Sequence, residues 1–222
     1  MIQRWLLIFF LVVGRPWPTF AAEAVPGLND VPLSQLIEVM VADRKMLAFD
    51  AQSGGQMEVS LRLKEELLWL GSQGAVGGAI TDQRVLLVGV GSTRWRVINI
   101  GLTENVNGEA LLGDRVVLVV TNRRVMGFGG DPPRVSEVPL GIHEEIQARR
   151  VGENVGLIVT NRRGLGFSPL LPGFVEVELD LKEKIESVSA AANLATLRTN
   201  RRILIFRSSS SSWEERTLNL QN

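Results

Sequence analysis

The sequence is poor in reactive side chains. Its 222 residues include no cysteine and no tyrosine, and the single histidine is His143. A thiol nucleophile and a Cys- or His-rich metal site are therefore excluded, and Ser–His catalysis would have to use His143. A lone imidazole next to Glu144 and Glu145 is more typical of a solvated surface than of a general base. We expect no catalytic residue, no metal and no cofactor.

An excess of charge of one sign is also missing. The 24 Lys and Arg residues balance the 24 Asp and Glu residues, so the formal net charge is zero. Binding to nucleic acid needs a surplus of cations that displaces counterions from phosphates, and we expect no nucleic-acid partner. A hydrophobic content of 45% is sufficient for a packed core.

A long apolar run occurs at the N-terminus. It extends from Trp5 to Val13, follows Arg4, and is succeeded by the small residues Ala22 and Ala24. This pattern is typical of a secretory signal peptide, and nine apolar residues form a helix of only about 14 Å, half of a hydrocarbon core. We predict cleavage after Ala24 and a periplasmic or secreted protein. The alternative is a retained N-terminal anchor.

The remainder, residues 25–222, is predicted to be a single domain built from five copies of one unit. Each copy is anchored by an Asp or Asn, and successive anchors lie about 39 residues apart. These anchors are Asp43, Asp82, Asn122, Asn161 and Asn200. The second residue after each anchor is basic: Lys45, Arg84, Arg124, Arg163 and Arg202. The twenty-second is Glu65, Glu104, Glu144 or Glu183, and in the fifth copy Asn222.

Within a unit the pattern is that of short strands. Val116 to Val120 is a continuous apolar run, as in a strand buried on both faces, and Arg124 to Phe128 alternates. Asn122 and Arg123 between them predict a type I′ turn, since Asn tolerates positive φ. Two further strands complete the unit, for example 174–179 and 185–190. Four short strands and their turns account for the length of a unit, so we expect little helix.

A four-stranded unit repeated five times resembles a β-propeller. The resemblance covers residues 28 to 222 and implies an all-β fold, a five-bladed β-propeller of four-stranded antiparallel blades. The first copy, at 47–54, is also similar to the strand and turn of quinoprotein-type and WD-like propeller repeats. The other copies lack that strand-and-turn sequence, and no unit has the tryptophan that is usual in quinoprotein-type repeats, so a bound quinone is not implied. A linear β-solenoid is the rival fold.

The repeated charges predict structural ion pairs. The turn after the second strand and the loop that leaves the fourth strand share one rim of a blade, so each basic residue can meet the Glu twenty positions later. We therefore predict a structural ion-pair ring rather than a ring of cations for an anionic ligand. Its members are Lys45, Arg84, Arg124, Arg163 and Arg202 with Glu65, Glu104, Glu144 and Glu183.

The turn tips are the candidate partner-binding residues. These tips are Arg44, Gln83, Arg123, Arg162 and Arg201. Four of the five are arginines without an evident packing role. We predict that they contact an acidic protein partner or, in a peripheral membrane contact, anionic lipid headgroups. The alternative is an inherited repetition that only improves solubility.

Together these features predict a non-enzymatic exported scaffold that binds another envelope protein and assists assembly. Two alternatives remain. A carbohydrate-binding propeller would need aromatic faces, for which the predicted mature chain offers Trp69, Trp95 and Trp213 at unrelated places in the repeat. A polymer-acting hydrolase would need converging carboxylates from longer loops, whereas the repeated Glu residues are copies of one position.

Overall fold

The computed structural model describes residues 35–106 and 108–218. Their regular structure consists of β-strands in five antiparallel sheets. Among these residues we find no helix with the length and hydropathy needed to cross a bilayer. The predicted signal peptide, its cleavage site after Ala24 and the last predicted repeat position, Asn222, lie outside the described residues.

In every sheet, strands that are neighbours are also consecutive in the chain. The first sheet contains β1 (Ile37–Ala42), β2 (Lys45–Asp50) and β3 (Gln56–Ser60). The second contains β4 (Leu67–Gln73), β5 (Val76–Thr81), β6 (Arg84–Gly89) and β7 (Arg96–Asn99). The third contains β8 (Leu111–Leu112), β9 (Val116–Val120), β10 (Arg124–Gly130) and β11 (Pro133–Pro139). The fourth contains β12 (Ile146–Val151), β13 (Gly156–Thr160), β14 (Arg163–Phe167) and β15 (Val175–Glu178). The fifth contains β16 (Ile185–Ala190), β17 (Leu194–Thr199), β18 (Arg202–Arg207) and β19 (Glu214–Thr217).

These sheets are the blades of a five-bladed all-β propeller, as the repeat predicts. Four blades have four strands, but the first shows three in the described part of the chain. The counterpart of β4 in the first blade would occupy residues 28–34, one repeat earlier, and these are not described. The prediction of four strands is therefore confirmed in four of the five blades.

Burial on both faces explains the continuous apolar runs. In β9, Val119 packs toward the second sheet in a cluster with Val85, and its neighbour Leu118 packs toward the fourth sheet in a cluster with Ile158. Successive side chains of a strand point to opposite faces, so an inner strand between two blades must be apolar at every position. Four such clusters join the five successive sheets.

The two terminal sheets each expose one face. Among the described residues, no cluster of buried side chains joins the fifth sheet to the first. In the first sheet, Met40 is 44% exposed. The equivalent residues of the other sheets are all buried: Ala79, Val119, Ile158 and Leu197. The outer face of the fifth sheet is covered by exposed ion pairs instead, such as Arg198–Glu186 at 2.9 Å.

The predicted type I′ turn occurs in the first unit alone among the five anchors. There Asp43 and Arg44 have φ angles of 46° and 60°. The anchors and tips of the other four units do not have positive φ angles, so the prediction was wrong for them. The reason is the residue before the anchor, which is a threonine in those four units: Thr81, Thr121, Thr160 and Thr199. The Thr hydroxyl accepts hydrogen bonds from the N–H groups two and three residues further along the chain and fixes a different conformation.

Candidate functional site

In the second to fifth sheets, the hairpin turn is joined to the loop that enters the sheet from the preceding one. The side chain of Asn122 accepts a hydrogen bond from the Asn105 N–H at 2.9 Å and donates one to the Thr103 carbonyl at 3.1 Å. Asn161 binds Glu145 and His143 in the same way, at 3.0 Å each. The anchors therefore hold turn and loop together on one rim, which we call the braced rim.

The repeated cations and carboxylates meet on this rim, but in the opposite sense to the prediction. Each arginine pairs with the Glu that lies 19 or 20 residues before it, not twenty residues after it. The four Nε–Oε1 distances, from 2.7 to 2.9 Å, belong to Arg84–Glu65, Arg124–Glu104, Arg163–Glu144 and Arg202–Glu183. Lys45, which was predicted to pair with Glu65, instead pairs with Glu58 across β2 and β3 at 3.2 Å.

The threonine before each anchor completes the arrangement, and the sequence analysis missed it. The Thr160 hydroxyl donates to Glu144 Oε1 at 2.9 Å, and the same bond occurs in the other three units at 2.6 to 2.8 Å. Glu144 Oε2 in turn accepts the Gly141 N–H and so closes its own loop. The sequence carried a signal for this role, since the threonine recurs in four of the five units.

The guanidinium groups have little capacity left for a ligand. Arg163 binds Glu144 twice, donates to Glu176 at 2.6 Å and to the Pro139 carbonyl at 2.7 Å. Arg124 and Arg202 have equivalent second carboxylates, Glu137 and Glu215. These outer carboxylates were also missed. Most donors of these guanidinium groups are thus engaged within the protein.

The pairing keeps the repeated carboxylates ionised. Burial alone would raise the pKa of Glu183, but hydrogen bonds from Arg202 and Thr199 and from the Asp180 N–H lower it to about 2. The pKa values of Glu65, Glu104 and Glu144 are lowered in the same way against the effect of burial. A general acid requires a raised pKa, so these groups are poorly suited to that role.

The turn-tip arginines are exposed but contact the same loops. Arg44 donates to the Arg62 carbonyl at 2.7 Å and Arg162 to the Ile142 carbonyl at 2.8 Å. Arg123 donates to the Thr103 hydroxyl, and Arg201 forms an exposed ion pair with Asp180 at 2.8 Å. Gln83 is partly buried. Each tip arginine retains donors that face solvent, since only one of its donor groups is engaged in these contacts.

One exposed aliphatic residue stands beside these tips in each loop. Its position is the twentieth after the anchor, and we call the four residues the rim aliphatics: Leu63, Leu102, Ile142 and Leu181. Each is at least 81% exposed. Their exposure is not evident from the sequence, because a leucine two residues after another apolar residue fits the alternation of a strand. The fifth counterpart, Leu220, lies outside the described residues.

The tryptophans contribute to packing. Trp95 is buried and its Nε1 donates to the Met57 carbonyl at 3.4 Å, while the Trp213 Nε1 donates to the Val175 carbonyl at 3.0 Å. Trp69 packs against the cluster between the second and third sheets. His143 is an exposed loop residue with a φ of 61°. In the described part of the chain, no three His, Asp or Glu side chains are grouped as metal ligands would be.

No protein-family model and no curated protein matches the chain. Several solved structures are similar in fold at low identity. Human WBSCR16 is 12% identical over 83% of this chain and 67% of its own, with a TM-score of 0.43. The WD40 domain of SCAP from fission yeast is 11% identical over 83% and 56%, with a TM-score of 0.37. Prp20p from Saccharomyces cerevisiae is 9% identical over 83% and 64%, with a TM-score of 0.39. The assignment of five blades rests on the strand order and packing described above.

Proposed function

We propose that this propeller is a non-enzymatic scaffold of the cell envelope that binds a protein partner and assists assembly. The repeated ionisable groups, which would be the first candidates for chemistry, are bound to one another on the braced rim. Their role is to hold successive sheets together. Export through the N-terminal signal belongs to the same proposal.

The observation that carries this proposal is the face of the first sheet that no other described sheet covers. Met40 and Leu47 are opposite each other in the pairing of β1 and β2, and Phe49 lies on the same face. Met40 is exposed and the other two are partly buried. At the position of Phe49, every other sheet has an apolar residue buried by its neighbour: Val88, Phe128, Phe167 and Phe206. This first-sheet face therefore fits a protein partner that presents an apolar surface of its own.

Site-specific crosslinking in intact cells tests this proposal. A photo-crosslinking side chain at Met40 should capture one protein partner reproducibly. The same group at Thr196, on the charged outer face of the fifth sheet, should not. A Phe49→Asp substitution should reduce the yield from Met40 by about tenfold, since it places a charge in the contact. Absence of any adduct from Met40, or equal yields from both positions, would count against a protein partner at this face.

A further inference from the structure

We infer that the braced rim is a membrane-contact surface, which inserts its rim aliphatics into the interface of an anionic bilayer and places its arginines at the headgroups. The inference concerns a different surface from the first-sheet face. It can therefore be tested independently of the proposed protein partner.

The loops present the rim aliphatics in a fixed conformation. In the third loop, the Glu144 N–H donates to the Gly141 carbonyl at 3.1 Å, and the Glu144 carboxylate accepts the Gly141 N–H at 2.8 Å. Ile142 lies at the tip of the tight turn that these two bonds close. The other three loops contain the same pair of bonds. Each aliphatic side chain is thus held in water by a turn that the buried carboxylate stabilises, although burial of apolar surface is favourable.

A cationic residue contacts or directly follows three of the four rim aliphatics. Arg162 donates to the carbonyl of Ile142 itself, and Lys64 and Lys182 directly follow Leu63 and Leu181. Carboxylates are also present on this rim, namely Asp43, Glu66, Asp82, Glu145 and Asp180, and Asp180 is paired with Arg201. Lysine and arginine next to exposed aliphatic residues are the composition that binds an anionic membrane interface.

The repeat favours a bilayer over a protein as the occupant of the rim. The four positions are equivalent on neighbouring blades, so they lie on the same rim of the propeller. A protein would have to supply a matched series of pockets, and leucine is under-represented among the residues that dominate protein interfaces. A bilayer accepts several side chains at one depth without a matched spacing. Arginine and lysine then interact with the phosphate groups.

Binding of the full chain to vesicles is the first measurement. The parent protein should float with vesicles of phosphatidylglycerol and phosphatidylcholine in equal parts. The variant L63S/L102S/I142S/L181S should bind at least about tenfold more weakly, because it loses the aliphatic insertion. The variant R123Q/R162Q should lose binding to these vesicles in a salt-dependent way, with an unchanged melting temperature. Circular dichroism should show that both variants are folded, since the substituted side chains are exposed.

Depth measurements separate this contact from one made by the apolar N-terminal segment. A tryptophan introduced by Leu102→Trp should be quenched by brominated lipids in these vesicles. The matched control is Leu170→Trp, an exposed leucine in the loop between β14 and β15, which should not be quenched. Equal quenching of the two, or equal vesicle binding by the parent and the fourfold variant, would overturn the inference. Loss of a co-purified protein from the fourfold variant, with no vesicle binding by the parent, would assign the rim to a protein instead.

Discussion

Arg124 of the third sheet donates from Nη2 to the carbonyl of Asn99, the last residue of the second sheet, at 2.8 Å. The same guanidinium binds Glu104 in the loop between the two sheets. The repeated ion pair is therefore a brace between successive blades rather than a contact within one. This brace, its turns and the exposed faces of the first and fifth sheets determine how we expect the protein to respond to substitution and to pH.

Removal of a brace should lower stability. We expect Arg163→Ala to reduce the free energy of unfolding by about 1–3 kcal/mol, because it leaves the buried Glu144 carboxylate without its cation. Arg162→Ala, one residue earlier and exposed, should change it by less than about 0.5 kcal/mol. Urea denaturation of both variants measures the difference. Equal losses would contradict the distinction between brace and tip.

The buried carboxylates should make stability depend on pH. The pKa of Glu183 is lowered from 4.5 to about 2 in the folded protein. A carboxyl with a lowered pKa stabilises the fold above its unfolded-state pKa, and this contribution is lost as the pH falls toward the folded-state value. We expect the free energy of unfolding to decrease between about pH 5 and pH 2. The Glu183→Gln variant should be less stable at pH 7 and show a shallower decrease, and an unchanged slope would contradict the assignment.

The threonine hydroxyl should be required for the turn. Thr160→Val keeps the shape of the side chain but removes the acceptor for two turn N–H groups and the donor to Glu144. We expect a loss of about 1–3 kcal/mol, since buried polar groups are left without partners. Thr160→Ser should restore most of it. Thermal and urea unfolding of the two variants provide the test, and a neutral Thr160→Val would show that the hydroxyl is dispensable.

The two kinds of turn should respond oppositely to glycine. Arg44 has a φ of 60°, which glycine adopts without strain, whereas Arg162 is not in that region. We expect Arg44→Gly to stabilise the protein by about 0.5 kcal/mol and Arg162→Gly to destabilise it by about 1 kcal/mol. Differential scanning calorimetry can resolve the sign. A loss of stability in both variants would indicate that the hydrogen bonds of the arginines outweigh the backbone effect.

The outer face of the fifth sheet should keep the protein from associating. Arg198 and Arg216 occupy positions where the other four sheets have only Val or Ile. We expect the variant R198V/R216V to self-associate, because an exposed apolar sheet face lacks a polar cap. Sedimentation velocity over a range of concentrations measures this, and K184V/R201V on the braced rim is the control for the lost charge. A monomeric R198V/R216V at high concentration would contradict the role of a cap.

The period of the repeat was sufficient to predict the sheets but not the partners within the brace. Glu104 lies midway along the chain between Arg84 and Arg124, so sequence spacing alone cannot tell which of the two it binds. The direction in which the loop enters the next sheet decides it, and that direction depends on the packing of neighbouring blades. Lys45 was misassigned for this reason.

Positions where a single copy departs from the repeat mark local differences in structure. Ala42 stands where the other units have threonine, and its turn is the one with positive φ. Arg198 and Arg216 stand where the other units have aliphatic residues, and their face is exposed. Exposure of the rim aliphatics could not be predicted, because an apolar residue in a loop is distinguished from a strand residue only by its three-dimensional surroundings.

The braces also determine where the protein opens first. An inner sheet is flanked by clusters and braces on both sides, while the first and fifth sheets have a described neighbour on one side only. Unfolding in a linear array of units is expected to begin at the units with the fewest neighbours. We therefore expect amide hydrogens of β2 and β18 to exchange with solvent before those of β9 and β10, with the terminal blades opening while the centre remains folded.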